Sequence, residues 1–403
     1  MKSCYNTAKR FSIALFLYCT LFYSVGFTVS VYSSDAGNAW QDRQVQTVQA
    51  TARADALNVY GGSARHKVAA PGFFRVLEKS NRWWLLDPEG CLYFSIGVNS
   101  VAPGRVGSTD LNAWAQDTYS LLKDAGFNSL GRWSDHKPFQ NIGKNIPWCA
   151  SHSFMKDYAN KRPAKYGEAR FPNETLPVFD EAWPIFCASY AKENAGPLKD
   201  DVWLLGHFSD NELPFRPDAL KKYLALPVDD AGHIAAAKWM QENRIRDRDV
   251  DDAEVQAAFL YVVAKRYYDA VAAALKQADP NHLYIGSRLH GRCISEPVIK
   301  AAGACDVVSI NYYHRWEAER ERTKSWTKWS QKPFLVGEFY AMTVPKDKAV
   351  PKSSGAGFRV LNYEDAGDFY QHYTKSLLKD IPNCVGWHWF KYADDNPISR
   401  KGI

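Results

Sequence analysis

The sequence lacks the marks of the common cofactor-dependent chemistries. The six cysteines beyond residue 39 form no CxxC pair, and no Cys/His cluster has metal-ligand spacing. No GxGxxG and no P-loop follows any apolar run, so nothing marks a nucleotide site. The formal charge of +6 contains no Lys/Arg block that would suggest nucleic acid. Low-complexity tracts are missing too. No cofactor and no metal are therefore expected.

What is present is a globular composition, 46% hydrophobic and 23% charged over 403 residues, enough for one large α/β domain or two ordinary ones. Aromatics are plentiful, with 14 Trp, 22 Tyr and 21 Phe. They suit a core rich in rings and stacking platforms for sugars. At the N-terminus, Lys2, Lys9 and Arg10 precede an apolar run over residues 11–32. A secretory signal over 1–34 is the first reading, with a retained membrane anchor as the alternative. The protein is expected to be exported, secreted or periplasmic, and to meet a membrane only if that segment stays uncleaved. Residues 35–70, polar and without periodicity, read as a linker. Export permits disulfides, and Cys293 with Cys305 is one plausible pair, but six buried thiols fit equally well.

From residue 71 onward, short β-rich runs alternate with helical stretches. The runs are CLYFSIGVN (91–99), GFNSLGRWS (126–134), NIPWCASHSF (145–154), DVWLLGHFSDNE (201–212), HLYIGSRLH (282–290), CDVVSINYYH (305–314), PFLVGEFY (333–340) and CVGWHWFKY (384–392). Apolar residues recur at helical spacing in TDLNAWAQDTYSLLKDA, AEVQAAFLYVVAKRYYDAVAAALKQ and YEDAGDFYQHYTKSLLKD. Eight such runs predict an α/β fold, a (β/α)8 TIM barrel filling 71–403. A doubly wound open sheet is the competitor. Pro147 makes the third strand the weakest. Only ADDNPISRKGI follows the eighth run, so the last helix is unaccounted for and the chain is expected to be a fragment.

A barrel of this kind works at the C-terminal ends of its strands. Those ends carry Asn99, Arg132 with Trp133, Asn211 with Glu212, Arg288 with His290, Asn311 with Tyr312, Glu338, and Trp387 with Trp389. Two glutamates in one cleft are what glycosidic hydrolysis needs, one protonated and one ionised. Arg132 is expected beside Glu338, holding it ionised as the nucleophile. His207, Phe208 and other rings are expected around Glu212, favouring its proton as the acid/base. His207, His290, His314 and His388 read as sugar partners or core residues; no HxH or HExxH spacing makes them a metal site.

NRWWLLDPEGCLYFSIGVNSV, GFNSLGRWS, DNEL, HLYIGSRLHG, DVVSINYY, VGEFY and VGWHWFKY together resemble the clan A retaining glycoside hydrolases, and most the family 50 β-agarases, over about residues 72–402. The resemblance implies a (β/α)8 barrel and hydrolysis of β-linked galactose in an agarose-type polysaccharide, with retention. It implies Asn211 as a hydroxyl ligand beside the acid/base Glu212, and Glu338 as nucleophile. Arg132 and Tyr312 or Tyr313 would flank the nucleophile, and Trp387 or Trp389 would form the sugar platform. Asn99, Arg288 and His290 would face the cleft. A non-catalytic sugar-binding barrel, a hydrolase of another β-glycan and a metal-assisted barrel hydrolase are the alternatives.

Overall fold

The computed structural model describes residues 57–162, 170–343 and 355–394. The N-terminal apolar segment, the linker up to residue 56, most of the loop after Glu338 and the end of the C-terminal tail lie outside those residues. Within them no helix is long and apolar enough to cross a membrane.

Among the described residues fifteen strands are formed: β1 (Ser63–Lys67), β2 (Arg75–Lys79), β3 (Arg82–Leu86), β4 (Cys91–Tyr93), β5 (Ser95–Val98), β6 (Ser129–Leu130), β7 (Trp148–Ser151), β8 (Leu204–Phe208), β9 (Leu283–Tyr284), β10 (Leu289–His290), β11 (Val308–Asn311), β12 (Phe334–Phe339), β13 (Ala341–Thr343), β14 (Phe358–Val360) and β15 (Cys384–Trp389). Nine of them form one sheet in the order β10-β11-β12-β15-β5-β6-β7-β8-β9. Every neighbouring pair is parallel. The two ends of this order, β9 and β10, belong to one stretch of chain broken at Gly286, whose φ of 81° lies in the left-handed region. The sheet is curled and clad in helices: the fold is an α/β barrel.

The helices follow the periodicity that predicts them. The longest, Ala253–Ala278, starts where Asp252 accepts from the amides of Glu254 and Val255. Phe259, Val263, Tyr267, Val271 and Ala274 recur along one face and are buried, Phe259 against Tyr223 and Trp239 and Tyr267 against Trp183 of neighbouring helices. Each large side chain so buried contributes about 1.5–3 kcal/mol. Leu111–Asp124 and Tyr363–Asp380 are capped in the same way by Asp110 and Asn362.

The run read as one first strand is two. Cys91–Tyr93 belongs to an antiparallel sheet, β1-β4-β3-β2, and only Ser95–Val98 enters the barrel. The boundary drawn at residue 70 therefore falls inside this sheet, since Ser63–Lys67 pairs with β4. Tyr60, Phe74 and Tyr93 from this layer pack against Cys149, Leu205, Leu283, Ile285, Val307, Leu335 and Val385. Those residues lie near the strand starts, so the antiparallel sheet closes the N-terminal end of the barrel. The opposite end is left for chemistry. All six described cysteines are buried free thiols, Cys293 and Cys305 included.

Candidate active site

Glu338 lies on β12, whose six residues are all buried, and is itself 4% exposed. The Arg288 guanidinium donates to one carboxyl oxygen at 2.5 Å, and the Tyr313 hydroxyl donates to the other. Arg288 cannot accept, so the arrangement favours the ionised carboxylate. Burial nevertheless pushes the Glu338 carboxyl above the ordinary glutamate range, against the lowering effects of Arg288 and Tyr313. The expected cation was Arg132. That guanidinium instead donates to the backbone oxygens of Asp210 and His152, at 2.8 and 2.5 Å. Burial and the neighbouring Arg288 lower it to about 10.

Glu212 follows β8 on left-handed backbone, with φ 54°, a strained geometry of the kind concentrated at functional sites. Its amide donates to the backbone oxygens of Ser287 and Arg288. Its side chain is 34% exposed, and Asn311 Nδ2 donates to Oε1 at 2.7 Å. His290 Nδ1 lies 3.8 Å from the same oxygen. Asn311 is also the Cα partner of Glu338 across the β11–β12 ladder. One residue therefore ties both glutamates to a single cleft, and the two carboxylates repel each other.

Several other expected residues are placed differently. His207 and Phe208 do not surround Glu212. Phe208 faces the barrel interior beneath the Arg288 guanidinium, 5.2 Å away. His207 bonds His152 at 2.9 Å and Asp279 at 2.9 Å, and His282 completes that buried network. His207, Asp279 and His282 hold their ligating atoms within 4.8 Å of one another, outside the cleft and already hydrogen-bonded. Asn99 is fully buried and spent on the scaffold. Its Nδ2 donates to the Gly337 and Trp389 oxygens, and its Oδ1 accepts from the Arg132 amide.

Tyr313, not Tyr312, flanks Glu338. Alternation along β11 sends Asn311 and Tyr313 to the cleft and Tyr312 outward, where it bonds Glu319 and meets Trp326 edge-on. Neither Trp387 nor Trp389 is a platform. Val385 packs inside the barrel, but it is an extra residue on β15 between the Phe334–Cys384 and Leu335–Gly386 pairs. That bulge reverses the alternation, so His388 turns inward to Ser95 while Trp387 bonds Tyr370 and Trp389 meets Phe339 in the helix layer.

The exposed cleft ring is Trp133, 40% exposed, with its face over Arg288 at 4.8 Å and Arg132 at 5.1 Å. Ring contacts continue the rim through Phe390, Tyr340 and Tyr313 to His290. Phe390 and Tyr340 went unread as site residues, although both directly extend strand-end motifs. Polar atoms buried without a partner gather at this cleft: Arg132 Nε, Asn211 Oδ1, Arg288 Nε and Nη1, and His290 Nδ1.

Asp210, beside Asn211, is structural. The Met155 and Lys156 amides and the Tyr267 hydroxyl donate to its buried carboxyl, at 3.0, 3.3 and 2.8 Å, yet burial pushes it up to about 7. The folded chain therefore keeps a proton there at pH values where the unfolded chain has released it. Stability from this group falls as pH rises from about 4 to about 7. Asp210→Asn is expected to flatten that part of the profile, read by thermal melts against pH.

No protein-family model matches the chain. Beta-agarase B of Vibrio sp. (strain JT0107) is 22% identical over 502 aligned positions, covering 92% of this chain and 51% of that protein. Beta-agarase A of the same organism is 24% identical over 72% of this chain and 33% of its own length. The chain thus spans about half or less of these curated relatives. The crystal structure of an agarase, AgWH50C, shares the fold at TM-score 0.68 and 21% identity, covering 85% of this chain and 60% of that one. BpGH50 superposes at TM-score 0.75 with 33% identity over 84% of this chain and 79% of its own. At that identity and coverage, the chain belongs to glycoside hydrolase family 50, the family whose β-agarases its sequence resembles.

Proposed function

We propose that the protein is a retaining glycoside hydrolase cleaving β-galactosidic linkages in an agarose-type polysaccharide, on a barrel of eight βα units. The observation that carries this reading is the pairing of Glu338 and Glu212 through Asn311 at the mouth of the barrel. Eight apolar segments each supply one parallel position, the fifth being split into β9 and β10. The agarase names of the relatives support the substrate class. The N-terminal apolar segment supports export, as a large polysaccharide requires.

In the first step the Glu338 carboxylate attacks the anomeric carbon. The electron pair of the glycosidic bond leaves with the oxygen, which takes the Glu212 proton. A galactosyl–Glu338 ester results. In the second step Glu212, now ionised, takes a proton from water as the water oxygen displaces Glu338, and the sugar leaves with its original configuration. Arg288 and Tyr313 hold the nucleophile in place, which keeps its attack geometry fixed. The acid limb of the rate profile should lie above the ordinary glutamate range, because Glu338 must lose its proton to attack and burial raises it.

The sugar stacks on Trp133, the exposed ring that lies over the Arg288 guanidinium holding Glu338. Trp133→Ala is expected to raise KM by about tenfold, the equivalent of one lost stacking face of roughly 1–1.5 kcal/mol. The change in kcat should be smaller, which steady-state kinetics on oligosaccharides will show.

Reducing-end release by the full chain from agarose, porphyran, carrageenan and simple β-galactosides tests the proposal. Release from agarose supports both mechanism and substrate. Release only from another galactan keeps the mechanism and moves the substrate. A folded protein that releases nothing from any of them overturns the reading.

A further inference from the structure

We propose that Asn311 is a positioning residue that holds the Glu212 carboxyl by Oε1 and leaves Oε2 to carry the catalytic proton. The inference rests on Glu212 being the acid/base, as proposed above. Asn311 is 1% exposed and anchored in the β11–β12 ladder, so its amide is fixed before any sugar arrives. Glu212, by contrast, follows the end of β8 with a partly exposed side chain. Its one side-chain hydrogen bond among the described residues is the 2.7 Å contact from Asn311 Nδ2.

The space around this amide is protected. A Cβ added at Gly337 would come within 2.7 Å of Asn311 Oδ1 and 3.2 Å of Arg288 Nε. Asn311 Oδ1 is buried without a partner, so nothing else fixes the orientation of the amide. Only with Nδ2 toward Glu212 does the amide meet an ionised carboxylate with a donor rather than an acceptor.

The chemistry of the cycle explains why an amide suits this place. Glu212 must be protonated in the first step and ionised in the second. A permanent cation at hydrogen-bond distance would hold it ionised and spoil the acid step. A carboxylate would hold the proton and spoil the base step. The amide stays neutral throughout and donates to the same oxygen in both states, so the proton returns to the oxygen that faces the leaving group. The titratable and charged groups facing Glu212 are His290 on β10, Tyr313 after β11, Glu338 on β12 with its partner Arg288, and Cys293. Of these Glu338 carries like charge to an ionised Glu212.

The test is the pH profile of kcat/KM for Asn311→Ala and for the isosteric Asn311→Asp, each on two substrates. One is an agaro-oligosaccharide and the other an aryl β-galactoside whose leaving group needs little protonation. Loss of the donor should move the alkaline limb upward by about one pH unit, the effect of one hydrogen bond to a charged group. The Asp variant, with a charge in its place, should move it at least as far. The oligosaccharide should lose at least tenfold more activity than the aryl substrate. An alkaline limb that stays in place in both variants, or equal losses on the two substrates, overturns the positioning role. Wild type inactive on both substrates would instead overturn the assignment of Glu212, and the inference with it. If Asn311→Ala does not fold, the Asp variant decides alone.

Discussion

Glu338→Gln should lower kcat on an agaro-oligosaccharide by about 10^4-fold, on the scale of losing a nucleophile, while the protein stays folded. The substitution keeps shape and volume. The amide oxygen still accepts from Arg288, and the amide nitrogen donates to the Tyr313 hydroxyl, which rotates to accept. What disappears is the negative charge that makes the carboxylate a nucleophile, so the neutral amide forms no glycosyl ester. A stability cost of about 3 kcal/mol accompanies it, because the buried Arg288 loses its counter-charge. Trp133 and Phe208 faces remain near that guanidinium. Initial rates and thermal melts are the check. A folded variant with more than about a tenth of wild-type turnover would remove Glu338 from the role of nucleophile.

Arg288→Met should be the most destabilising change in the cleft. Arg288 is fully buried, and it donates both to Glu338 and to the Gly337 backbone oxygen. Methionine retains much of the aliphatic stem but leaves the Glu338 carboxylate buried with only Tyr313. Breaking a buried pair in this way costs about 3–5 kcal/mol. Arg288 is also the largest effect lowering the Glu338 carboxyl against its burial. Without it that carboxyl moves further up, so the acid limb of kcat/KM shifts to higher pH. A carboxyl that holds its proton more tightly in the folded chain stabilises the fold at low pH and loses that contribution as pH rises through the raised value. The variant should therefore melt closer to wild type in acid than at neutral pH. Melts and rate profiles across pH measure both effects, and an unmoved acid limb would show that Arg288 does not govern the nucleophile.

The order of elements and the placing of Glu212 and Glu338 at strand ends were legible in the sequence, because they depend on signals written locally. Apolar runs at strand length, helical periodicity and strand-end carboxylates survive any detail of packing. The neighbours of those glutamates were not. Arg132 and Arg288 both end a strand, and only the path of each guanidinium across the barrel decides which one reaches Glu338. Tyr312 and Tyr313 differ by one step of strand alternation, which the sequence leaves free until register is known. Trp387 and Trp389 were misread for a similar reason. The bulge at Val385 turns them outward, and nothing in VGWHW announces a bulge. The splitting of 91–99 between two sheets depends likewise on how the antiparallel sheet closes the barrel, a tertiary fact.

The most direct test of the whole account is the anomeric configuration of the first product. Proton NMR of a digest of agaro-oligosaccharide by wild-type protein, recorded before mutarotation, should show the β-anomer of the new reducing end appearing first. That result requires two displacements at one carbon, and so a nucleophile and an acid/base acting in turn. Initial release of the α-anomer would mean a single displacement by water, and Glu338 could not then be the residue that attacks.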